Sequence, residues 1–388
     1  MMIEFLTPVP KTVLAHREVL PSGVLGKHIY VHSNKGVLPD LDNVNFAILG
    51  VKENRGDINF IGEGLCFNEI RKSFYSLYPG NWSHKIVDLG DIEKGATLND
   101  THFAMKAVLE QLLLKKIIPL LLCGSQDLAY SQYRSYDVLG NMVNITNIDS
   151  KFDLGDADQP MTNKSFVGKI IVNKPYGLFN YSNLGYQSYY NASEEIKLME
   201  KLFFEGYRLG EVIADTKIVE PILRDSDMVF LDIEAIKSAD LSYRNSKSPN
   251  GFDSREICAI ARYAGISNKV SSFGIYELKE FKDSKSSAML IAQVFWYFIE
   301  GFNFRVADDN FSNDSQFTTY KVPIEDEVLI FKKSNKTGRW WIILPFFAEG
   351  NNKLKRETLL PCTYGDYLCA CNQEIPERWM KARRKNEF

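Results

Sequence analysis

Histidine is scarce in this chain of 388 residues: the only five are His16, His28, His32, His84 and His102. From residue 103 onward no imidazole is available to bind a transition metal or to shuttle protons near neutral pH. The five themselves read as surface or loop residues. Cysteine is sparse as well. The six, at 66, 123, 258, 362, 369 and 371, are too few and too scattered for a disulfide framework. Cys362, Cys369 and Cys371 fit zinc-ligand spacing poorly and read as reduced packing thiols. No segment approaches the roughly 18 uncharged apolar residues of a membrane span, and MMIEFLTPVPKTVLAH lacks a basic-then-apolar leader. The chain therefore reads as cytoplasmic. Nor does one sign of charge dominate, with 46 Lys and Arg against 49 Asp and Glu, so nothing draws it to nucleic acid or an anionic membrane.

What is present describes an α/β protein long enough to bury a large core. Short β-branched or apolar runs alternate with helical stretches, the pattern of strand-helix units in a mostly parallel sheet. The predicted strands are Asn45–Gly50, Lys85–Leu89, Ile117–Leu122, Met142–Asn147, Lys169–Val172, Asp227–Leu231 and Ser271–Tyr276. Helices are expected over Phe67–Leu77, His102–Leu114, Ser254–Ala264 and Ser284–Phe302, with caps at Asn99–Asp100 and Asp253–Ser254 and a stop at Gly265. Residues 1–43 read as an irregular arm, 44–305 as the main domain and 306–388 as an extension. The extension holds a strand at Glu327–Phe331, the pair Trp340–Trp341 and a basic tail, Arg378 to Lys385, expected to be a solvated helix.

In an open parallel sheet the ligand crevice lies beyond the carboxyl ends of the strands. Three apolar runs end in polar clusters there: Cys123-Gly124-Ser125-Gln126-Asp127, Asp149-Ser150-Lys151-Phe152-Asp153, and Asp232-Ile233-Glu234. Asp149, Asp153, Asp232 and Glu234 would share one crevice if those strands are neighbours. Four anions in one place repel and call for cations, most simply divalent metal.

This layout resembles the ureohydrolase family of arginase, agmatinase and formimidoylglutamase. The family has, in order, Gly-Gly-x-His, Asp-x-His-x-Asp, Ser-x-Asp-x-Asp and Glu-x-Asn-Pro segments. Cys123–Gln126, Asp149–Asp153, Phe230–Glu234 and Glu277-Leu278-Lys279 are similar to these in turn, and the likeness runs over about residues 44–302. It implies a three-layer α/β/α fold with a central sheet of about eight strands and N- and C-terminal extensions. The family's two motif histidines are metal ligands, and the matching positions here are Gln126 and Lys151. Gln is a poorer ligand than imidazole, and a protonated lysine is none.

Three readings follow. In the preferred one Lys151 takes the place of a second metal and pairs with the acids. In another a single ion is held by Gln126, Asp149, Asp153 and Asp232; in the last a two-metal site survives. Glu277 matches the glutamate that contacts the substrate guanidinium in the family. The leading expectation is thus a pseudoenzyme serving as scaffold, interaction subunit or small-molecule sensor, with no cofactor. The alternative is an active C–N hydrolase acting on a guanidino or formimino substrate with one Mn or Mg ion. A protein partner is expected at the C-terminal extension, and the resemblance implies a homo-oligomer.

Overall fold

The apolar runs that end in acids are strands. The computed structural model describes residues 2–387 apart from 36, 61, 63, 157, 243–247, 279–284, 309–313, 326, 347–352 and 355–357. In it the main strands are β1 (Tyr30–Val31), β2 (Phe46–Lys52), β3 (Ile86–Glu93), β4 (Ile118–Cys123), β5 (Val143–Ile148), β6 (Leu178–Tyr186), β7 (Glu205–Arg208), β8 (Met228–Asp232) and β9 (Ser272–Tyr276). They form one nine-stranded sheet in the order β1-β3-β2-β4-β9-β8-β5-β6-β7, every pair parallel. Helices cover both faces. Along β2, Phe46 and Ile48 enter one core cluster while Ala47 and Leu49 enter the other. A strand buried on both sides has no polar face to show, which is why these runs are continuously apolar.

Helix Leu98–Leu114 starts four residues ahead of the expectation, because Thr97 caps it in a reciprocal box with Asp100. Asp253 caps Ser254–Ile266 in the same way. Gly265 is no C-terminal stop. It lies inside that helix, where a Cβ would sit 2.0 Å from the Phe298 carbonyl oxygen; at Gly301 a Cβ would sit 2.2 Å from that of Arg262. The two glycines let Ser254–Ile266 and Lys285–Phe302 pack closely.

Other expectations are corrected. Lys169–Val172 belongs to a helix, Phe166–Val172, and β6 and β7 follow it. The N-terminal arm is not irregular: it forms helices Lys11–Val19 and Leu25–His28 and lends β1 to the sheet edge. The extension folds into an antiparallel meander of β10 (Phe317–Ile324), β11 (Glu327–Ser334), β12 (Trp340–Leu344) and β13 (Thr358–Cys362) with its own core around Phe331, Trp340 and Trp379.

The basic tail is not solvated. Helix Glu377–Glu387 buries Arg378 and Lys385, and Arg378 pairs with Glu205 at 3.2 Å and Asp225 at 3.3 Å. On the main-domain side Arg224 lies 4.4 Å from the Trp341 ring and donates to the carbonyls of Trp340 and Cys362. No helix among the described residues is long and apolar enough to cross a membrane.

Candidate metal centre

Strand order brings the motifs together. β4, β9, β8 and β5 are consecutive in the sheet, so Gln126, Glu277, Asp232 and Asp149 emerge side by side at their carboxyl ends. The pairing of Ile148 with Leu231 sets Asp149 beside Asp232. Backbone bonds from Glu277 to the Gly124 carbonyl and from Leu278 to that of Cys123 continue the register past β4 and β9.

Each buried carboxylate is aimed by local bonds. Asp149 Oδ1 accepts from the Lys151 backbone N–H at 2.9 Å, and its Oδ2 accepts from Gln126 Nε2 at 3.1 Å and Asn147 Nδ2 at 3.3 Å. Asp232 Oδ1 accepts from the Glu234 N–H at 2.7 Å. Asp153 sits at φ +51°, a left-handed conformation that Asp tolerates better than most side chains, and it turns the loop back toward the crevice. One oxygen from each of Asp149, Asp153 and Asp232 lies within 4.8 Å of the others. Glu234 stands at the rim, half-buried, and accepts from Lys151 Nζ at 2.9 Å. Lys151 Nζ also lies 5.6 Å from the centre of the Tyr190 ring.

A second lysine enters the same space. Lys164 Nζ is 3.6 Å from Asp232 Oδ2, 3.7 Å from Glu234 Oε2 and 3.9 Å from Asp153 Oδ1. Its ammonium atom is buried and has no hydrogen-bond partner among the described residues. The expectation that Lys151 takes the second cation place and pairs with the acids is refined: Lys151 serves the rim at Glu234, and Lys164 faces the interior. Nothing in the spacing of Lys164 marks it. It is delivered by the turn after Thr162, whose hydroxyl accepts from the Lys164 backbone N–H.

Burial pushes the carboxyl of Asp149 well above the usual carboxylate range, and Asp153 beside it adds to the rise. Asp153 is pushed up to about 6, mainly by burial, with Lys164 opposing. Asp232 is raised by burial and then by Asp149. Burial works against the Lys164 ammonium, but Asp153, Asp232, Glu234 and Glu277 outweigh it and hold the lysine charged.

Four carboxylates with two ammoniums leave this crevice at about -2 when all are ionised. Asp153 Oδ2, Asp232 Oδ2 and the amide oxygen of Gln126 are buried without hydrogen-bond partners among the described residues. Orphaned oxygens on acids that a bound cation would keep ionised fit a hard divalent ion. The Glu234 oxygen beside them is paired with Lys151 and faces Lys164.

Gln126 and Glu277 lie in the same crevice. Gln126 turns its NH2, not its carbonyl, toward Asp149. Glu277, at φ +59° and buried, accepts through Oε1 from the Gln126 N–H at 2.9 Å and from Asn163 Nδ2 at 3.1 Å. Lys279 lies outside the described residues. The histidines are less peripheral than expected: His32 is fully buried, and His102 Nε2 lies 2.9 Å from Asp127 Oδ2, one residue past Gln126.

A parallel sheet with a cluster of buried acids at the carboxyl ends of its central strands has an arginase-like α/β fold. The chain is a divergent member of the arginase/ureohydrolase superfamily. It is 22% identical to a formimidoylglutamase of Geobacillus sp. (strain WCH70) over 265 residues, covering 64% of this chain and 81% of that one. Among solved structures it resembles the Bacillus subtilis formimidoylglutamase (TM-score 0.63, 16% identity, 76% of this chain and 99% of that one). It also resembles a Trypanosoma cruzi formiminoglutamase with Mn2+ (TM-score 0.59, 17% identity, 69% and 96%). No family model matches the sequence. The expectation that no cofactor belongs to this crevice is overturned: a protein of the same fold was solved with Mn2+, and the acid trio here has the donor set for an ion.

Proposed function

We propose that the chain is a metal-dependent hydrolase of linear C–N bonds, of the formimidoylglutamase kind, working with one Mn2+ or Mg2+ ion. The observation that carries this reading is the buried trio Asp149, Asp153 and Asp232, which would hold the ion, with one oxygen each of Asp153 and Asp232 unbonded among the described residues. When bound, a divalent ion supplies Lewis-acid activation of water at neutral pH. The chain's residues set the surroundings. Gln126 Nε2 and the Lys151 N–H fix the direction of the Asp149 carboxylate. Glu277 keeps a negative wall that favours a cationic formimino or guanidino group. Lys151 and Tyr190 form the outer rim.

A second reading rests on Gln126 and the lysines. Gln126 offers a donor where the family has a ligand, and two ammoniums face the acids. On this reading the chain binds an ion or a small cation without turnover and acts as a scaffold, interaction subunit or sensor. The test is metal content of the full chain purified without chelator, followed by assays for formamide, ammonia or urea release from formimino and guanidino substrates. The first reading expects about one Mn2+ per chain and turnover abolished in Asp232→Ala. Metal without turnover selects the second reading. No uptake of Mn2+ in excess sinks the metal site.

A further inference from the structure

We propose that Lys164 is the chain's own second cation, a tethered ammonium that takes one cation position in the crevice and limits it to a single divalent ion. The inference rests on the reading of this crevice as an ion site and goes beyond it by assigning a role to a residue outside all four motifs.

Three observations carry it. Lys164 Nζ faces three carboxylates from two segments: Asp153 after β5, and Asp232 and Glu234 at and just beyond the end of β8. Its separations of 3.6 to 3.9 Å are ion-pair distances, too long for hydrogen bonds, and the buried ammonium has no hydrogen-bond partner among the described residues. It is therefore held by charge in the middle of the acids, not locked onto one of them. Finally, the outer carboxylate, Glu234, is paired with Lys151, so that side of the crevice is already neutralised by protein. An ammonium placed in this way satisfies part of the negative charge and repels a second divalent ion. It also weakens the first ion, whose ligands Asp153 and Asp232 it faces.

The test is Mn2+ titration of the full chain, read by calorimetry and by counting bound ions after gel filtration. Wild type is expected to bind one Mn2+. Lys164→Met is expected to bind Mn2+ at least about tenfold more tightly, since a like charge roughly 4 Å from two ligands is removed. Lys164→Arg keeps the charge and is expected to stay within a few-fold of wild type. Lys151→Met with Lys164→Met is expected to admit a second ion.

Two ions on wild type, or equal affinities in wild type and a folded Lys164→Met, overturn the inference while leaving the metal site intact. If wild type binds none and Lys164→Met binds one, the limit to a single ion is overturned, because Lys164 then excludes every ion, and the proposed hydrolase fails with it. If neither binds, both fail. Wild-type stoichiometry needs no variant, so misfolding of Lys164→Met would not shelter the idea.

Discussion

Asp149 shows how one carboxylate is positioned by its neighbours. Both of its oxygens are engaged, and Gln126 supplies one of the donors from a fully buried amide. Gln126→Leu roughly keeps the volume and removes that donor, leaving a buried acid short of one bond. Metal-free protein is expected to lose about 1–3 kcal/mol in urea unfolding. Mn2+ should recover part of the loss, because an ion at Asp149 supplies the missing positive partner. An unchanged midpoint would show that the amide does not hold the carboxylate. The acids were legible in the sequence because each ends an apolar run, and a strand end in a parallel sheet points at the crevice. Gln126 was legible as a position but not as a donor, since side-chain orientation leaves no trace in spacing. Lys164 was not legible. It arrives through a turn built by Thr162 and Asn163, and a lysine in a polar loop reads as solvated.

At the scale of elements, one helix supports the site directly. Phe166–Val172 lies against the loop that carries Asp153: the Val167 N–H donates to the Asp153 carbonyl at 3.2 Å. A Cβ at Gly168 would sit 2.1 Å from the Leu154 carbonyl oxygen. Gly168→Ala must push helix and loop apart, at an expected cost of about 1–3 kcal/mol in stability. Because Asp153 rides on that loop, Mn2+ affinity should fall as well. Gly210→Ala is the control, since a Cβ there has no atom within 4 Å and it too lies in a helix. Equal behaviour of the two variants would separate the helix from the site.

The run Lys169–Val172 imitates a strand through its β-branched residues, yet it forms the last turn of helix Phe166–Val172, which packs closely on Leu154 through Gly168. β6 was hidden for the opposite reason. Its buried Asn180, Ser182 and Asn183 break the apolar pattern, yet Asn180 donates to Glu205 at 3.0 Å and Asn183 to the Lys151 carbonyl at 2.7 Å. Polar groups satisfied by remote partners look like loop in a sequence.

Across the whole molecule, the extension is tied to the sheet by buried cations whose partners lie far away in the chain, which is why the tail looked solvated. Arg378 meets Glu205 and Asp225, and Lys385 donates to Asn180 of β6. Burial holds the Lys385 ammonium down at about 8 from an ordinary value of 10.5, with Glu205 and Asp225 only partly opposing. The sign of the consequence follows from proton counts. Between these two values the unfolded chain keeps its proton on this lysine and the folded chain sheds it. Stability therefore rises with pH through this window and is lost as pH falls through about 8. The slope from this one group is at most about 1.4 kcal/mol per pH unit. Lys385→Met removes the titration while keeping an unbranched apolar stem. Urea midpoints of the two proteins at several pH values from 7 to about 10 should show wild type gaining on the variant as pH rises. A constant difference would mean that Lys385 keeps its proton in the folded chain, and that the extension is anchored by Arg378 and the Trp341–Arg224 contact without a charge penalty at its end.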